Sequence, residues 1–130
     1  MCDLMSRVNV GIDPALLCPK HLIAEHREIK RLPNALKKRL LKNHPMDDIP
    51  RRFRLGTGHV KFFFDKMGYL YLRYKLLHAE CLRRGYKVTD FSSAWDDIPT
   101  EYMNNWSPSY QDVSIVGERI AQRLLEMEHQ

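Results

Sequence analysis

The sequence lacks three features, and each absence removes a class of protein. No apolar run approaches the roughly 18 residues that a membrane-spanning helix needs. The opening residues, MCDLMSRVNV, have no apolar stretch behind a basic flank, so they do not form a secretory signal. The cysteines, Cys2, Cys18 and Cys81, are odd in number, scattered and without a CxxC pair. We therefore expect a reducing compartment and neither a disulfide framework nor a zinc cluster.

The charge that is present is unevenly distributed. The 130 residues suffice for one packed core and carry a net charge of +5. Residues 1–60 hold 12 Lys and Arg against 6 Asp and Glu, and residues 61–90 hold 7 against 3. Residues 91–130 reverse the sign, with 2 against 7. A basic body with an acidic tail is typical of a nucleic-acid binder, although many basic proteins bind nothing anionic.

Helical periodicity appears in three stretches of the chain. The first runs from about Pro19 to Asn43, with apolar residues at intervals of three, four or seven, and Pro33 predicts a kink or a restart. A second helix is expected from after Gly58 to Arg84, and a third from near Ser109. No stretch alternates cleanly enough for a strand. The sequence therefore predicts an all-α fold, a single compact domain over residues 1–130 with three main helices and long connecting loops.

A basic stripe is predicted on the first helix, opposite its apolar face. At 100° per residue, the stripe consists of Lys20, Arg27, Arg31 and Lys38 and is about four turns long. Such a stripe could follow a phosphate backbone, and the simpler alternative is a solvated helix face.

Glu28 is a carboxylate inside this basic surface, where it would repel a phosphate. One explanation is an ion pair with Arg31, three residues along the helix. The other is catalysis, in which the carboxylate stabilises a developing cation or moves protons at a sugar carbon. His21 lies seven residues earlier, in nearly the same direction from the helix axis. The histidines and carboxylates here do not form HExxH, so we predict no metal site.

Several segments together resemble a known family. They are SRVNV (6–10), HLIAEHRE (21–28), LGTGHVKFFFDK (55–66), AECLRRG (79–85), DIP (97–99) and RIAQR (119–123). In this order and spacing they look like the phage-type pyrimidine dimer DNA glycosylase, also called the dimer-specific endonuclease V. The resemblance runs from about Ser6 to Arg123. It implies an all-α fold of three helices, in agreement with the periodicity.

The resemblance implies a DNA repair enzyme that cuts the glycosyl bond of a pyrimidine dimer and then cleaves the strand at the abasic site by β-elimination. In that family the nucleophile is the α-amino group of the first residue after Met removal. An α-amine has a pKa of about 7.7–8, so a useful fraction is neutral at physiological pH. The amine attacks the sugar C1′ and forms a Schiff base, which acidifies the C2′ proton.

The family's site residues transfer to this chain by position. The resemblance implies that Ser6 supplies the amine and that Glu28 stabilises the cationic imine and assists proton transfer. His21 matches a histidine near the active site. The arginines that would hold phosphates around the lesion are Arg7, Arg27 and Arg31, and further DNA-facing positions are Lys38 and Arg119, joined by Lys20 from the basic stripe.

Two departures from the family pattern shape the expected chemistry. Ser6 is preceded by MCDLM, and a run of four residues moves an amine by up to ~13 Å. We therefore predict that translation starts at Met5, that residues 1–5 are a leader or alternative-start extension, and that Met removal frees Ser6.

The family's aromatic, basic C-terminal segment is replaced by LLEMEHQ, and Ile115 stands where a DNA-facing arginine is expected. The lesion range is therefore expected to extend to other damaged bases or plain abasic sites.

The leading hypothesis is thus a cofactor-independent DNA glycosylase and abasic-site lyase. Its expected partner is double-stranded DNA with a lesion, and it is expected to be a cytoplasmic monomer in a bacterial or phage-infected cell. An alternative is a catalytically inactive DNA-binding protein on the same fold. A third is an interaction protein that docks through its acidic tail. Trp95, Trp106 and Cys81 are expected to be packing residues, and the glycines of LGTGHV a turn.

Overall fold

Five α-helices form in the part of the chain that the computed structural model describes, residues 8–43 and 46–128. They are α1 (Pro19–Glu28), α2 (Arg31–Leu41), α3 (His59–Phe62), α4 (Met67–Arg83) and α5 (Tyr110–Glu128). Single 3₁₀ turns occur at Pro14–Leu16, Ser92–Trp95 and Thr100–Tyr102. No strand occurs in these residues, and the all-α prediction is confirmed.

The first predicted helix is two helices, because the chain turns at Ile29 and Lys30. The restart predicted from Pro33 is confirmed, but it begins at Arg31, so the proline lies in the first turn of α2. The first backbone N–H groups of a helix have no partner within the helix, so a proline there removes no hydrogen bond. Pro33 therefore marks the beginning of α2 rather than its interruption.

The second predicted helix is also divided, and the prediction of one continuous helix from Gly58 to Arg84 is wrong. Gly58, at φ 90°, precedes the single turn of α3, and the chain leaves the helical path until Met67. Phe62, Phe63 and Phe64 are all buried. Three consecutive side chains cannot all face the core from one regular helix, so the break allows each ring to be buried. The expected stop is confirmed, since α4 ends just before Gly85.

The core lies mainly between α1 and α4, which pack against each other. Leu22, Leu70, Leu77 and Cys81 are fully buried there, as predicted for the Cys81 thiol. At the start of α4, a Cβ on Gly68 would lie 2.7 Å from the backbone oxygen of Met103. The close approach of these two backbones is what requires glycine at this position.

Both tryptophans pack beneath the loops, as predicted. Trp95 is buried against Tyr71 and Tyr74, with ring centroids 5.6 and 5.1 Å away. Trp106 packs against an aromatic cluster whose other members are Phe53, Phe62, Phe63 and Tyr69. The glycines of LGTGHV form the expected turn, with Gly56 and Gly58 at positive φ.

The third predicted helix is confirmed as α5, although it is less buried than its apolar pattern predicts. Val116 is buried and Ile120 packs against the core, whereas Ile115, Leu124 and Leu125 are exposed. Within residues 8–43 and 46–128, none of the helices combines the length and the apolar character required to cross a membrane.

His26 makes the fold sensitive to acid. Its ring is buried, with Nε2 2.9 Å from Nδ1 of His78 and with Tyr74 and Phe91 packed nearby. Burial, followed by the charges of His78 and Lys30, lowers the pKa of His26 from 6.5 to about 4. Between these pH values the unfolded chain binds a proton that the folded chain does not. The stability contribution of His26 is therefore complete above pH 6.5 and is lost as the pH falls toward 4.

We expect the free energy of unfolding to decrease from pH 6.5 to pH 4, with a contribution from His26 of at most ~1.4 kcal/mol per pH unit. His26→Phe keeps an aromatic ring but cannot take up the proton, so its stability should change less over the same window. Urea unfolding of both proteins at several pH values measures the difference. If the free energy of unfolding fell equally with pH in both proteins, His26 would not be the source of the acid sensitivity.

Candidate active site

Glu28 is the last residue of α1, immediately before the turn that leads to α2. Its side chain is 18% exposed. Oε2 is 3.0 Å from an Nη of Arg27, and Oε1 is 4.0 Å from an Nη of Arg31. The ion pair predicted between Glu28 and Arg31 is thus present at the limit of contact, with a closer one to Arg27.

The two arginines remain available to solvent while they contact this carboxylate. Their side chains are 58% and 53% exposed for Arg27 and Arg31, respectively. A guanidinium group carries five donors, so one contact with Glu28 leaves most of them able to bind another anion. The arrangement therefore offers a recessed carboxylate between two cations that can contact a polyanion.

His21 lies two turns before Glu28, beside α5. Its pKa is lowered from 6.5 by burial, then by the positive charges of Arg119, Lys20 and Arg123. Its Nδ1 atom is buried and has no hydrogen-bond partner among the described residues. Because a positive imidazole is disfavoured, His21 is neutral at physiological pH and can accept or donate a proton.

The members of the predicted basic stripe are divided between two helices. Lys20 and Arg27 lie on α1, Arg31 and Lys38 lie on α2, and all four are exposed. The structure brings Arg27 and Arg31 together at Glu28, and Lys20 and Arg119 close to His21. Ser6 and Arg7, the predicted nucleophile and a phosphate contact, lie outside the described residues.

Buried groups that the sequence did not predict hold the segment from Val8 to Ile12. Glu25 accepts hydrogen bonds from the backbone N–H and the side-chain amide of Asn9, at 3.3 and 2.7 Å. The same carboxylate is paired with Arg73 of α4, whose Nε is 2.8 Å from Oε2. Burial by itself lowers the pKa of Arg73, but the charge and hydrogen bonds of Glu25, together with Tyr69 and Asp13, outweigh it, so the net pKa is raised.

His59 is a second missed residue. Its Nε2 atom lies 3.0 Å from the backbone nitrogen of Val8, and its Nδ1 atom lies 2.8 Å from the carbonyl oxygen of Arg54. Leu22 and Ile29, three residues before and four after Glu25, are the sequence signal that Glu25 faces inward. Periodicity could not identify the partners of Glu25 and His59, which are 16 and 51 residues away in the sequence.

Within the described ranges, no three His, Cys, Asp or Glu side chains lie together in a way that could hold a metal ion.

The family model for pyrimidine dimer DNA glycosylase matches residues 5–93, which is more than half of the chain. The chain belongs to the pyrimidine dimer DNA glycosylase family, and membership implies a DNA substrate. The match includes Ser6, His21, Glu28 and the basic stripe, whereas Arg119 lies beyond it.

Replacing Arg119 with glutamine should raise the pKa of His21 toward 6.5, because a nearby positive charge is removed while burial is kept. The pKa can be measured by following the His21 ring resonances in an NMR titration. Arg83→Gln is the matched control, since Arg83 contacts Glu80 on α4 and is absent from the charges that act on His21. An unchanged His21 pKa in Arg119→Gln would contradict the electrostatic effect of Arg119 on His21.

Proposed function

We propose that the chain is a DNA glycosylase with abasic-site lyase activity, which acts as a monomer on lesion-containing double-stranded DNA without a metal or cofactor. The observation that carries the proposal is the Glu28 carboxylate, recessed between the exposed guanidinium groups of Arg27 and Arg31. A carboxylate repels the phosphates of bound DNA, whereas it stabilises a cationic imine beside the DNA backbone.

The nucleophile in this proposal is the α-amine of Ser6 in a chain that begins at that residue. The neutral amine attacks C1′, and the glycosyl bond breaks with its electron pair leaving on the base, which is then protonated. The sugar ring opens to a protonated imine. Removal of a C2′ proton then expels the 3′ phosphate with the C3′–O bonding pair, and water hydrolyses the imine to release the enzyme.

Each described residue has a role in these steps. Glu28 stabilises the cationic imine and accepts or returns a proton at the sugar. His21, neutral because of its burial and its cationic neighbours, is placed on the same side of α1 and can assist proton transfer. The exposed donors of Arg27 and Arg31 bind the phosphates that flank the lesion. Lys20, Lys38 and Arg119 extend this contact along the DNA.

A start at Met5 would give the chain the terminus that the assignment of Ser6 requires. The family match begins at residue 5, and removal of a methionine before a small serine would expose the amine of Ser6. If residues 2–5 remain attached after removal of Met1, the amine moves away from the sugar by up to ~13 Å. A free Ser6 amine is therefore a requirement of the mechanism.

Borohydride trapping tests the proposal directly, since reduction converts an imine into a stable protein–DNA adduct. Protein beginning at Ser6 should form the adduct with abasic duplex DNA, and protein that retains MCDLM should form much less. Peptide mapping should locate the adduct on Ser6. Lys30 is the competing amine to exclude, because burial and then the charges of Arg31 and Arg27 lower its pKa. No adduct from the Ser6 form, or an adduct on Lys30, would overturn the mechanism.

Glu28→Gln should lower the rate of strand cleavage by roughly 10²–10⁴-fold, the usual size of a lost acid–base catalyst, without weakening DNA binding. The cleavage rate with saturating abasic duplex measures the first effect and a binding titration the second. Glu101→Gln makes the same charge change at an exposed site and should leave both values near wild type.

A catalytically inactive DNA-binding protein on the same fold is the second candidate, and the Glu28–Arg27 contact at 3.0 Å favours it, since a structural ion pair has this geometry. In that case Glu28→Gln would weaken binding, because the two arginines would lose the partner that orients them. Trapping with the Ser6 form would also be negative.

A further inference from the structure

The backbone that follows the proposed nucleophile is held at three points, Val8, Asn9 and Ile12, by buried polar groups. Val8, Asn9 and Val10 are all buried although they begin the described part of the chain. Terminal segments are ordered only when specific contacts tie them down. The contacts made by Val8, Asn9 and Ile12 are therefore the attachment of this segment to the helical core.

The His59 contact is the attachment nearest to Ser6. A backbone N–H can only donate and a carbonyl can only accept. Because Nε2 faces the N–H of Val8 and Nδ1 faces the carbonyl of Arg54, the imidazole must be the neutral tautomer with its proton on Nδ1. The ring is 0% exposed and packs against Phe53 and Phe63. Its acceptor atom therefore has a fixed position and a fixed chemical character.

The Glu25 contacts hold the next residues. Glu25 binds the backbone and side chain of Asn9, and Arg73 in turn donates from Nη1 to the carbonyl of Ile12 at 2.5 Å. The segment is therefore fixed by α1 through Glu25, by α4 through Arg73 and by α3 through His59. Glu28 lies on the same helix as Glu25. The contacts of Glu25 therefore also fix the position of the segment relative to the Glu28 carboxylate.

We propose that His59 is a positioning residue for imine formation, which holds the N–H of Val8 so that the amine two residues earlier stays within reach of C1′ and Glu28. This inference rests on the proposed function, since it assumes that Ser6 supplies the amine. Two residues of chain span at most ~7 Å, so fixing Val8 keeps the amine within that distance of a fixed backbone atom.

A nucleophile that is free to move reacts more slowly, and this is why holding Val8 would matter. Attack requires reacting atoms ~3–3.5 Å apart, and a 1 Å misplacement can cost roughly 10²-fold in rate. Loss of the Val8 contact would enlarge the volume that the amine explores. It would slow imine formation without removing a group that binds DNA or transfers a proton.

Replacing His59 by Gln or by Asn tests the contact of Nε2 with Val8 separately from the other contacts of the ring. Gln places its carbonyl oxygen near the position of Nε2 and can still accept from Val8, whereas Asn reaches only the position of Nδ1 and can satisfy only Arg54. We expect His59→Asn to lower the single-turnover trapping rate at saturating abasic DNA by roughly 10–100-fold, with an unchanged dissociation constant for the DNA. His59→Gln should recover most of that rate.

Equal rates for His59→Asn and wild type would overturn the proposal, as would equally slow His59→Asn and His59→Gln proteins with wild-type thermal stability. Wild-type protein that forms no adduct would instead remove the proposed function itself, so the two failures are distinguishable. The pH at which the trapping rate is half-maximal should stay the same in all variants, because the amine is moved rather than chemically altered.

A backbone substitution tests the same contact if both His59 variants unfold. Cys18 allows ligation of a synthetic segment 6–17 to residues 18–130, and the segment can carry an ester in place of the Val8 amide. This removes the N–H donor and leaves every side chain unchanged. We expect slow trapping with normal DNA binding, and a wild-type trapping rate in the folded ester protein would contradict the role of His59.

Discussion

The ion pair between Glu25 and Arg73 is the constraint on which the arrangement of this protein depends. The two side chains are 1% and 5% exposed, so neither charge is stable without the other. The pair joins α1 to α4 and has remaining oxygens and nitrogens that bind Asn9 and Ile12. A single buried interaction thus sets the rotation of α1, its contact with α4 and the path of the preceding segment.

The rotation of α1 in turn explains the exposure of Glu28. Three residues turn an α-helix by about 300°, so Glu28 emerges roughly 60° from the direction of Glu25. This direction is the border between the buried face and the solvent, where a carboxylate can be recessed and still reachable. The turn at Ile29 and Lys30 then allows Arg31, on a new helix, to approach the same carboxylate as Arg27. The rotation of α1 therefore sets the exposure of Glu28, and the end of α1 brings Arg31 to it.

Much of this arrangement could be predicted from the sequence, because helices leave a repeating apolar pattern. The all-α fold, the end before Gly85, the packing of Trp95 and the ion pairs of Glu28 follow from local spacing. The division after Phe62 could not be predicted in this way, since it depends on three adjacent rings each finding space in the core. The partners of Glu25 and His59 depend on contacts across the fold, and no spacing within one helix contains that information. Gly68 is similar, because its requirement arises from the backbone at Met103.

The positions of the two tryptophans have an optical consequence. Trp95 belongs to the group of rings around Tyr74, and Trp106 to the separate cluster around Phe53 and Phe63. Phe53 also contacts His59, with 5.6 Å between ring centroids. One ring therefore separates the Trp106 indole from the residue that binds the backbone of Val8. Since the chain has only these two indoles, the intrinsic fluorescence divides into one signal for each region. Trp106 is thus a built-in, label-free reporter of rearrangements that reach the backbone beside the proposed nucleophile.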